Sequence, residues 1–465
     1  MSTWLNGLQR YLVSPVKRKP HQRFGRGLEV LEVRQVLAVN PITVSAVSDI
    51  SSTDGHVNAE VATFSDSDES ASVHDFKAVI DWGDGKTSKG HVTAGAEGGF
   101  VVTGKHVYHV TGERQISVTV SDKSGNSATD GGFETNNLVS DQAGQAPVVD
   151  PNLVNAWGLA LSPAGPFWIN DNGTGVSTLV DGEGVLQSLV VTVPTPLGVS
   201  GPSAPTGMVF NGTADFAVTG GASHFIFSTE EGTISGWNNG TAAELKVDNS
   251  ASGAIYKGLA IGSVGSDNFI YATDFHNGKI DVFDKNFAAV QPAGDFQVPK
   301  LQKGYAPFGI ENINGTLFVT YAKQDADGVD DLHHKGWGFV AEFSTDGHYI
   351  KTLVERGPLN APWGLAQAPD DFGRFSNDLL VGNFGDGTVD AFDPDTGDFL
   401  GVVTDTSGNP LTIDGLWAIK FGNGAAGGDT DDIYFTAGPD DESHGLFGEL
   451  GSAGDPTHIF IGPEA

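Results

Sequence analysis

The chain has 465 residues, 39% of them apolar, and 64 glycines, which excludes wholesale disorder and favours a turn-rich β protein with a sizeable core. Its formal net charge of −33 excludes nucleic acid and anionic lipid as favoured partners and would attract divalent cations. The chain has no cysteine, which excludes disulfides, zinc–thiolate sites and cysteine nucleophiles, and its hydropathy predicts no membrane-spanning helix.

Residues 1–40 form a basic segment ahead of an acidic body. They contain seven basic and two acidic residues, a net charge of +5, so residues 41–465 carry −38. The stretch "FGRGLEVLEVRQVLA", Phe24 to Ala38, resembles the Leu-Glu-x-Leu-Glu-x-Arg-x-x-Leu-Ala leader of many large exported bacterial surface proteins. This resemblance implies an export leader and an extracellular or cell-surface location, with a plain basic arm as the alternative.

Residues 41–132 predict a small all-β domain. The segment "FKAVIDWGDGKTSKGHV" alternates like a strand, turns sharply at Asp81 to Gly85 and returns as a second strand. Its Trp-Gly-Asp-Gly turn and the later strand "ISVTVSD" resemble the PKD-like and Ig-like β-sandwich repeats of bacterial surface proteins, which implies a spacer or an adhesive arm. Asp81 and Asp84 could hold calcium or could simply cap the turn.

A similar six-residue sequence motif recurs six times in the rest of the chain. The copies read "AWGLAL", "PTGMVF", "YKGLAI", "PFGIEN", "PWGLAQ" and "LWAIKF". Their small marker residues are Gly158, Gly207, Gly258, Gly309, Gly364 and Ala418. Successive markers are 49, 51, 51, 55 and 54 residues apart, and two further apolar strands follow most of them.

Four antiparallel strands repeating about every 50 residues are typical of β-propeller blades. One blade cannot bury both of its faces, so neighbours must stack and the ring must close. The sequence therefore predicts an all-β protein: a six-bladed β-propeller over residues 136–465 after an N-terminal Ig/PKD-like β-sandwich. The closing strand is predicted at Asn136–Asp141, with His458–Gly462 as the rival.

Antiparallel order brings the starts of the first strands and the ends of the second strands to one face of the disc, here called the upper face. The predicted first-strand residues there are Asn155, Trp157, Asn360, Trp363, Asp414 and Trp417. The predicted second-strand ends are Asp171, Glu230, Asp274, Tyr321, Asn383 and Ala437. The tryptophans predict flat ligand platforms or, alternatively, core between blades. The predicted binding residues are Asn155, Trp157, Asn172, Tyr321, Asn360, Trp363 and Trp417.

The second-strand ends also predict an axial calcium site. Its candidate ligands are Asp171, Glu230, Asp274 and Asn383. Calcium takes roughly 6–8 oxygen ligands, and a cation would neutralise carboxylates that otherwise repel each other. Two alternatives stay open: the same side chains could cap turns, or they could form a polar site without metal.

A loop in the fourth repeat, "AKQDADGVDDLHHKGWG", carries a second possible metal cluster. Its carboxylates are Asp325, Asp327, Asp330 and Asp331. The loop resembles a calcium loop in composition but lacks the spacing of an EF-hand, and a solvated acidic loop is the alternative. His333, His334 and His444 are predicted on the upper face, where His444 is the candidate general base or else a structural histidine.

Several longer words carry a family resemblance over residues 136–450. Among them are "NNLVSDQAG", "FIFSTEEGTISGWN" and "YFTAGPDDESHGLFG". They are similar to a family of exported bacterial β-propellers with no established activity, in the broad group of NHL-repeat proteins and gluconolactonase-like, calcium-dependent phosphotriesterases. Lactonase-like enzymes hold one axial calcium through Glu, Asn and Asp, which implies Glu230, Asp274 and Asn383 as counterparts.

Two functions are compatible with these patterns. The first is an exported binding or scaffold protein that recognises a small molecule, a carbohydrate, a peptide or a protein. The alternative is a calcium-dependent lactonase or esterase with an axial metal. No nucleophile, zinc, phosphate-loop or dinucleotide signature is evident in the sequence. A deep axial pocket lined by carboxylates would favour the enzyme, whereas a plugged channel would favour the binding protein.

Overall fold

The structure is a computed structural model that describes residues 42–461 apart from short gaps. The gaps are at 48–49, 53, 69, 96–97, 110–111, 125–126, 130–131, 371, 373–374, 407 and 453–456. The predicted basic leader, residues 1–40, lies outside the described residues. Within the described ranges, no helix has the length and apolar character needed to cross a membrane.

The first eight strands belong to an N-terminal β-domain. They are β1 (Ile42–Ala46), β2 (Ile50–Ser52), β3 (His56–Asp66), β4 (Phe76–Asp81), β5 (Thr87–Ala94), β6 (Phe100–Val107), β7 (Gly112–Asp122) and β8 (Ser127–Thr129), with a 3₁₀ turn at Val73–Asp75. Their order is β1-β3-β6-β5-β4-β7, with β8 beside β7. Buried and exposed residues alternate along β4, and the inward ones, such as Ile80, pack with Trp82 in one apolar core.

The turn after β4 is capped by its own carboxylates. Asp81 accepts the backbone N–H of Gly83 at 3.1 Å, and Asp84 accepts that of Lys86 at 3.2 Å. Asp84 also lies 2.9 Å from Nε2 of His106. Both aspartates therefore cap the turn, which is the alternative to calcium binding that the sequence allowed.

The rest of the chain forms six blades over the described residues from Phe133 to Ser452. The propeller strands begin with β9 (Phe133–Ser140) and its short parallel partner β10 (Val148–Val149). Blade one has β11 (Ala156–Leu161), β12 (Phe167–Asp171), β13 (Val176–Val180) and β14 (Val191–Thr192). Blade two has β15 (Pro205–Phe210), the small hairpin β16 (Ala217–Val218) and β17 (Gly221–Ala222), β18 (Phe225–Thr229), β19 (Thr233–Trp237) and β20 (Glu244–Asp248), followed by a 3₁₀ turn at Ser250–Ser252.

The remaining blades repeat the same antiparallel order from the hub outward. Blade three has β21 (Tyr256–Val264), β22 (Asp267–Asp274), β23 (Lys279–Asp284) and β24 (Ala289–Val290). Blade four has β25 (Tyr305–Ile313), β26 (Thr316–Gln324), the short β27 (Asp331–Leu332), β28 (Gly338–Ser344) and β29 (Tyr349–Glu355). Blade five has β30 (Pro362–Gln367), β31 (Leu379–Asn383), β32 (Val389–Phe392) and β33 (Phe399–Val402). Blade six has β34 (Leu416–Phe421), β35 (Ile433–Ala437), the single turn α1 (Pro439–Glu442) and β36 (Leu446–Ser452).

Blade six takes its fourth strand from the start of the ring. β9 pairs with β36 in antiparallel fashion, with Ser140 opposite Leu446 and Val139 opposite Phe447. The predicted closure by this segment is confirmed, because β9 covers the outer edge that β36 would otherwise expose. The rival segment, β37 (Thr457–Ile461), which the sequence placed inside the propeller, pairs instead with β7 of the N-terminal domain.

The glycine markers are explained by how closely the inner strands approach each other around the hub. A Cβ on Gly258 would lie 2.9 Å from the carbonyl oxygen of Phe308, and one on Gly364 would lie 2.7 Å from that of Trp417. Each of these carbonyls belongs to the next blade. Only glycine, which has no Cβ, fits this contact. The close approach of the inner strands therefore explains why glycine recurs at the marker position.

Hydroxyl groups of the second strands join neighbouring blades. Thr273 of β22 donates to the carbonyl of Phe308 in blade four at 2.7 Å. Thr436 of β35 donates to the carbonyl of Trp157, which joins blade six to blade one. These buried bonds satisfy carbonyls that the β-bulges at the markers leave outside the sheet ladders.

Candidate functional site

The residue before each marker lies on the first strand at the upper end of the hub. The six residues are Trp157, Thr206, Lys257, Phe308, Trp363 and Trp417. All are buried except Trp363, which is half-buried. The pairing of first and second strands shifts register beside this position in every blade, which re-aims its side chain. The hub wall is therefore aromatic at four positions and polar at two.

Three stacked rings close the hub at its upper end, and we call Trp157, Trp417 and Phe384 the aromatic plug. The ring centroids of Trp157 and Trp417 are 3.5 Å apart and those of Trp417 and Phe384 are 3.8 Å apart, both pairs nearly parallel. Trp363 meets the two indoles edge-on at 6.3 and 6.0 Å. The alternative that these tryptophans form core is therefore the better description of Trp157 and Trp417.

Lys257 brings a buried positive charge to the hub. It is 2% exposed, and its Nζ lies 2.5 Å from Oε1 of Glu230, 3.4 Å from Oδ1 of Asp330 and 5.0 Å from the ring centroid of Trp157. Burial alone would lower the pKa of the ammonium, but Glu230 and Asp330 outweigh burial and raise it. The charge of Lys257 is therefore held in place by carboxylates and by an indole face.

A chain of polar side chains runs from Lys257 across the upper side of the plug. Asn172 donates to Glu230 at 3.1 Å and accepts from Asn155 at 3.2 Å. Asn155 also donates to Glu442 at 2.7 Å, and its carbonyl oxygen accepts the indole N–H of Trp417 at 2.8 Å. Two of the predicted binding residues, Asn155 and Asn172, therefore belong to one hydrogen-bonded network that ends at the carboxylates of Glu230 and Glu442.

Glu442 reaches this network because of an unusual turn. Asp440, Asp441 and Glu442 have φ angles of 56°, 54° and 62°, left-handed values that cost energy for residues with a side chain. The backbone N–H of Asp440 donates to Asp414 at 3.0 Å, which helps to hold the turn. Glu442 is exposed as a residue, but desolvation of its carboxyl group, together with the charge of Glu230, raises its pKa to about 7.

Beside the plug lies an open cleft of about 620 Å³, which we call the acidic cleft. Its carboxylates are Asp330, Asp331, Asp386, Asp414, Asp441 and Glu442. His333 lines the cleft with its Nε2 2.9 Å from Asp331, which raises the pKa of the imidazole, and its ring meets that of Phe384 edge-on at 5.1 Å. Six carboxylates against one imidazole give the cleft a negative potential that suits a cation.

The second strands end between blades and not at the hub, which corrects the predicted convergence. In blade two the residue equivalent to Asp171 and Asp274 by strand pairing is Thr229, so Glu230 is one position further along. Glu230 follows the end of its strand and reaches Lys257 at the hub, whereas Asp171, Asp274 and Asn383 are fully buried. The same holds for Tyr321, which is 2% exposed in the core between blades three and four, and for Ala437.

Asp274 caps a turn, as one alternative predicted. Its carboxylate accepts the side-chain amide of Asn277 at 2.8 Å and the backbone N–H of Ile255 at 3.2 Å, and Nζ of Lys279 is 3.6 Å away. These donors satisfy the buried carboxylate without a metal ion.

Asn383 is the counterpart of Asp274 in blade five and forms hydrogen bonds through its side-chain amide. It accepts the backbone N–H of Asn360 at 2.9 Å and donates to Asp390 at 2.7 Å. Burial raises the pKa of Asp390 to about 7. Asn360, a predicted binding residue that is 6% exposed, donates to Asp386 at 3.0 Å and so supports the wall of the acidic cleft from below.

Asp171 differs from its counterparts because its polar neighbour Thr178 lowers the pKa of its carboxyl group less than burial raises it. It is fully buried beside Thr178, but among the described residues no donor has hydrogen-bonding geometry to either carboxylate oxygen. Burial, with Asp150 nearby, raises the pKa of Asp171 well above its ordinary value. The structure therefore separates Asp171 from Glu230, its predicted partner at the hub.

The four aspartates of the blade-four loop do not face one centre. Asp325 caps its own loop by accepting the backbone N–H of Val329 at 2.9 Å, Asp330 pairs with Lys257, and Asp331 pairs with His333, while Asp327 is exposed. Among all residues that the structure describes, no group of three or more His, Asp or Glu side chains is arranged to hold a metal ion. Calcium binding stays a prediction from the sequence.

His444 has structural partners. Its Nδ1 lies 2.8 Å from Asp141 at the end of the closing strand, and its carbonyl accepts the backbone N–H of Asn155 at 3.0 Å. It is not among the residues that line the acidic cleft. Its predicted role as a general base receives no geometric support.

Sequence reasoning did not single out Lys257, Phe384 or Glu442. The word "YKGLAI" places Lys257 in register with Trp157 and Trp363, and a single cation in an otherwise largely aromatic series was a readable signal. Glu442 had no such signal, because its position depends on a left-handed turn that its residue types do not favour.

Two curated proteins of Acanthamoeba polyphaga mimivirus are similar to this chain. Uncharacterized protein R648 is 33% identical over 336 residues, which cover 68% of this chain and 80% of that protein. Uncharacterized protein L690 is 32% identical over 339 residues, which cover 68% of this chain and 85% of that protein. Both are viral, so they lend no support to the predicted bacterial source, and no protein-family model matches the chain.

Solved structures show a more distant likeness. A catalytically inactive variant of virginiamycin B lyase from Staphylococcus aureus covers 85% of this chain and 98% of its own, at 14% identity and a TM-score of 0.41. A protein of unknown function from Bacteroides thetaiotaomicron covers 89% of this chain and 99% of its own, at 11% identity and a TM-score of 0.45. The six-bladed ring of the present chain rests on its own strand pairing.

Proposed function

We propose that this chain, which belongs to the family of the mimivirus proteins R648 and L690, is a binding protein. Its upper face would recognise a cationic ligand. One observation carries the proposal: the aromatic plug fills the upper end of the hub, where the sequence predicted an axial calcium site. Trp417 stacks between Trp157 and Phe384, with ring centroids 3.5 and 3.8 Å away. Recognition is therefore left to the open cleft beside the plug.

The chemistry of the acidic cleft favours an ammonium or guanidinium group. Asp386 and Asp414 are exposed on its wall, and both are oriented by hydrogen bonds from neighbouring residues. Phe384 borders the same space and adds a small apolar surface to its wall. A volume of about 620 Å³ is in the range of sites for small molecules or for one or two side chains of a peptide.

The cellular setting belongs to the same proposal. The leader-like motif in residues 1–40 supports export to the cell surface, and the Trp-Gly-Asp-Gly turn supports an Ig/PKD-like role for the N-terminal β-domain. Such a domain would act as a spacer that presents the propeller to its ligand. A protease-accessibility assay on producing cells, with an antibody to the propeller, tests this location directly.

Binding is tested by isothermal titration with agmatine, which carries a guanidinium and an ammonium group. N-(4-aminobutyl)urea is the matched probe, because a neutral urea replaces the guanidinium. We expect agmatine to bind, and we expect Asp386→Asn and Asp414→Asn each to weaken it by about tenfold. Glu183→Gln, which removes an exposed charge from a loop outside the cleft, is the control. Equal affinity for both probes, or no effect of either cleft variant, would reject the proposal.

The calcium-dependent hydrolase predicted as the alternative can be tested in parallel. It requires carboxylates around an axial ion, whereas the structure places Asp171 and Asp274 between blades. Turnover of a lactone or ester panel that needs calcium and disappears in Asp171→Ala would replace the binding function with a catalytic one.

A further inference from the structure

The opposite end of the hub, on the lower face of the disc, opens into a second cavity of about 540 Å³, which we call the lower cavity. Residues of blades one, two, three, four and six line it, so it is centred on the axis of the ring. A small inner space continues from it toward the plug and is lined by all six blades. The hub is therefore closed above and open below.

The walls of the lower cavity are mainly apolar. They include Ala160, Leu161, Met208, Phe210, Ala260 and Phe421. The inner space adds Leu259, Ile310 and Leu365 and ends at the side of Trp363. Such a surface gains free energy when an apolar group covers it.

Two opposite charges stand together in this apolar wall. Lys420 of β34 and Glu311 of β25 belong to blades six and four, and their Nζ and Oε1 atoms are 3.5 Å apart across the hub. The two side chains are 29% and 36% exposed. They are the only charged residues that line the lower cavity within the part of the chain that the structure describes.

The other polar side chains of the wall have their hydrogen bonds made within the protein. Asn423 donates to the carbonyls of Ser162 and Gly165 and accepts two backbone N–H groups. Asn312 donates to the carbonyl of Ile261 and accepts one backbone N–H. The capacity to bind a polar ligand group therefore lies with Lys420 and Glu311, whose mutual contact is long and partly solvated and so contributes little by itself.

We infer that the lower cavity binds an apolar α-amino acid as a zwitterion. Its carboxylate would pair with Lys420, its ammonium would pair with Glu311, and its side chain would occupy the apolar wall. A ligand with a single charge would leave one member of the pair beside a like charge, whereas a zwitterion satisfies both. This site is separate from the acidic cleft and does not depend on the function proposed for it.

The test uses the full chain and isothermal titration with L-leucine and L-phenylalanine. Two analogues each lack one charge: L-leucinamide lacks the carboxylate and 4-methylpentanoate lacks the ammonium. We expect millimolar or tighter binding of the zwitterions and about tenfold weaker binding of each analogue. Lys420→Met should weaken leucine by about tenfold and should not weaken leucinamide, because leucinamide has no carboxylate to pair with Lys420. Glu311→Gln should weaken leucine and should not weaken 4-methylpentanoate, which has no ammonium group to pair with Glu311.

Lys89→Met, at an exposed position of the N-terminal domain, is the matched control and should bind leucine like the parent protein. Circular dichroism and the melting temperature of each variant separate loss of binding from loss of folding. The inference is overturned if neither leucine nor phenylalanine binds at concentrations up to about 10 mM. It is also overturned if Lys420→Met folds normally and weakens leucine and leucinamide equally.

Discussion

The indole rings of Trp157 and Trp417 lie in parallel with their centroids 3.5 Å apart, although the two residues belong to the first and the last blade. This contact joins the two ends of the repeat series at the hub, where Asn155 also bonds the indole N–H of Trp417. The ring is therefore sealed twice at the same junction. β9 completes blade six at the rim, and the aromatic plug ties blade six to blade one at the centre.

The plug is expected to be a large part of the stability of this junction. Trp417→Ala should lower the free energy of unfolding by about 3–5 kcal/mol, because it removes a buried ring and leaves a cavity between Trp157 and Phe384. Trp417→Phe keeps the stack but loses the bond to Asn155, and it should cost less than half as much. Urea unfolding followed by circular dichroism measures both. An unchanged midpoint in Trp417→Ala would contradict the role given to the stack.

The glycine marker of blade four provides a sharper test of the ring geometry. A Cβ at Gly309 would overlap the carbonyl oxygen of Trp363 in the next blade, and backbone cannot move aside as a side chain can. Gly309→Ala should therefore cost about 1–3 kcal/mol or prevent folding. Gly212→Ala is the control, because its nearest contact would be an ordinary 3.4 Å to the ring of Phe210. Equal melting temperatures for the two variants would show that the inner strands are further apart than described.

These contacts explain why the six-bladed ring could be predicted from the sequence. The glycine markers of blades one to five each lie against the backbone of the next blade, so a similar sequence motif recurs about every 50 residues, with Ala418 at this position in blade six. The closing strand was readable for a related reason. β36 needs an outer partner, and the apolar segment before the first repeat had no partner of its own.

The site was harder to predict from the sequence, because it depends on which of two adjacent residues at the end of a strand reaches the hub. Asp171, Glu230 and Asp274 look equivalent as letters, but strand pairing makes Thr229 the counterpart of the two aspartates. Thr229 ends its strand, so Glu230 lies just beyond it, where its side chain reaches Lys257. The network at Asn155 likewise depends on the left-handed turn that carries Glu442, which no local pattern predicts.

The buried carboxyl group of Asp171 should make stability depend on pH. Its pKa is raised above the ordinary value of 3.8 by burial, so the folded protein binds this proton more tightly than the unfolded chain does. The contribution of Asp171 to stability is therefore most favourable below about pH 4 and is lost as pH rises toward the folded pKa. Asp171→Asn removes the ionisable group and should stabilise the protein at pH 8 by about 1 kcal/mol or more.

Melting temperatures at pH 4, 6 and 8 measure this effect, and the advantage of Asp171→Asn should shrink toward pH 4. Asp274→Asn is the matched control and should destabilise the protein, because it weakens a carboxylate that accepts several donors. A lower melting temperature for Asp171→Asn at pH 8, together with loss of a calcium-dependent rise, would instead support the calcium ligand predicted from the sequence.

The raised pKa of Glu442 should make cation binding in the acidic cleft depend on pH. The pKa of about 7 means that the carboxyl group is largely neutral at pH 5.5 and charged at pH 8.5. His333, whose pKa is raised by Asp331, also loses its positive charge as pH rises, at a higher pH than an ordinary histidine. Both changes make the cleft more negative as pH rises, while the guanidinium and ammonium groups of agmatine stay charged.

We therefore expect the affinity for agmatine to rise by about tenfold between pH 5.5 and pH 8.5, equivalent to a shift of one unit in the pKa of a group on binding. Glu442→Gln removes the titrating carboxyl group nearest to Asn155 and should flatten most of this rise, and His333→Gln should remove the remainder. Glu183→Gln should keep the full dependence, because its exposed side chain lies outside the cleft. Titrations in one buffer series at constant ionic strength measure the effect, since screening by salt would otherwise alter it. A steep rise that survives in Glu442→Gln would assign the titration to a different group and remove Glu442 from the recognition of the cation.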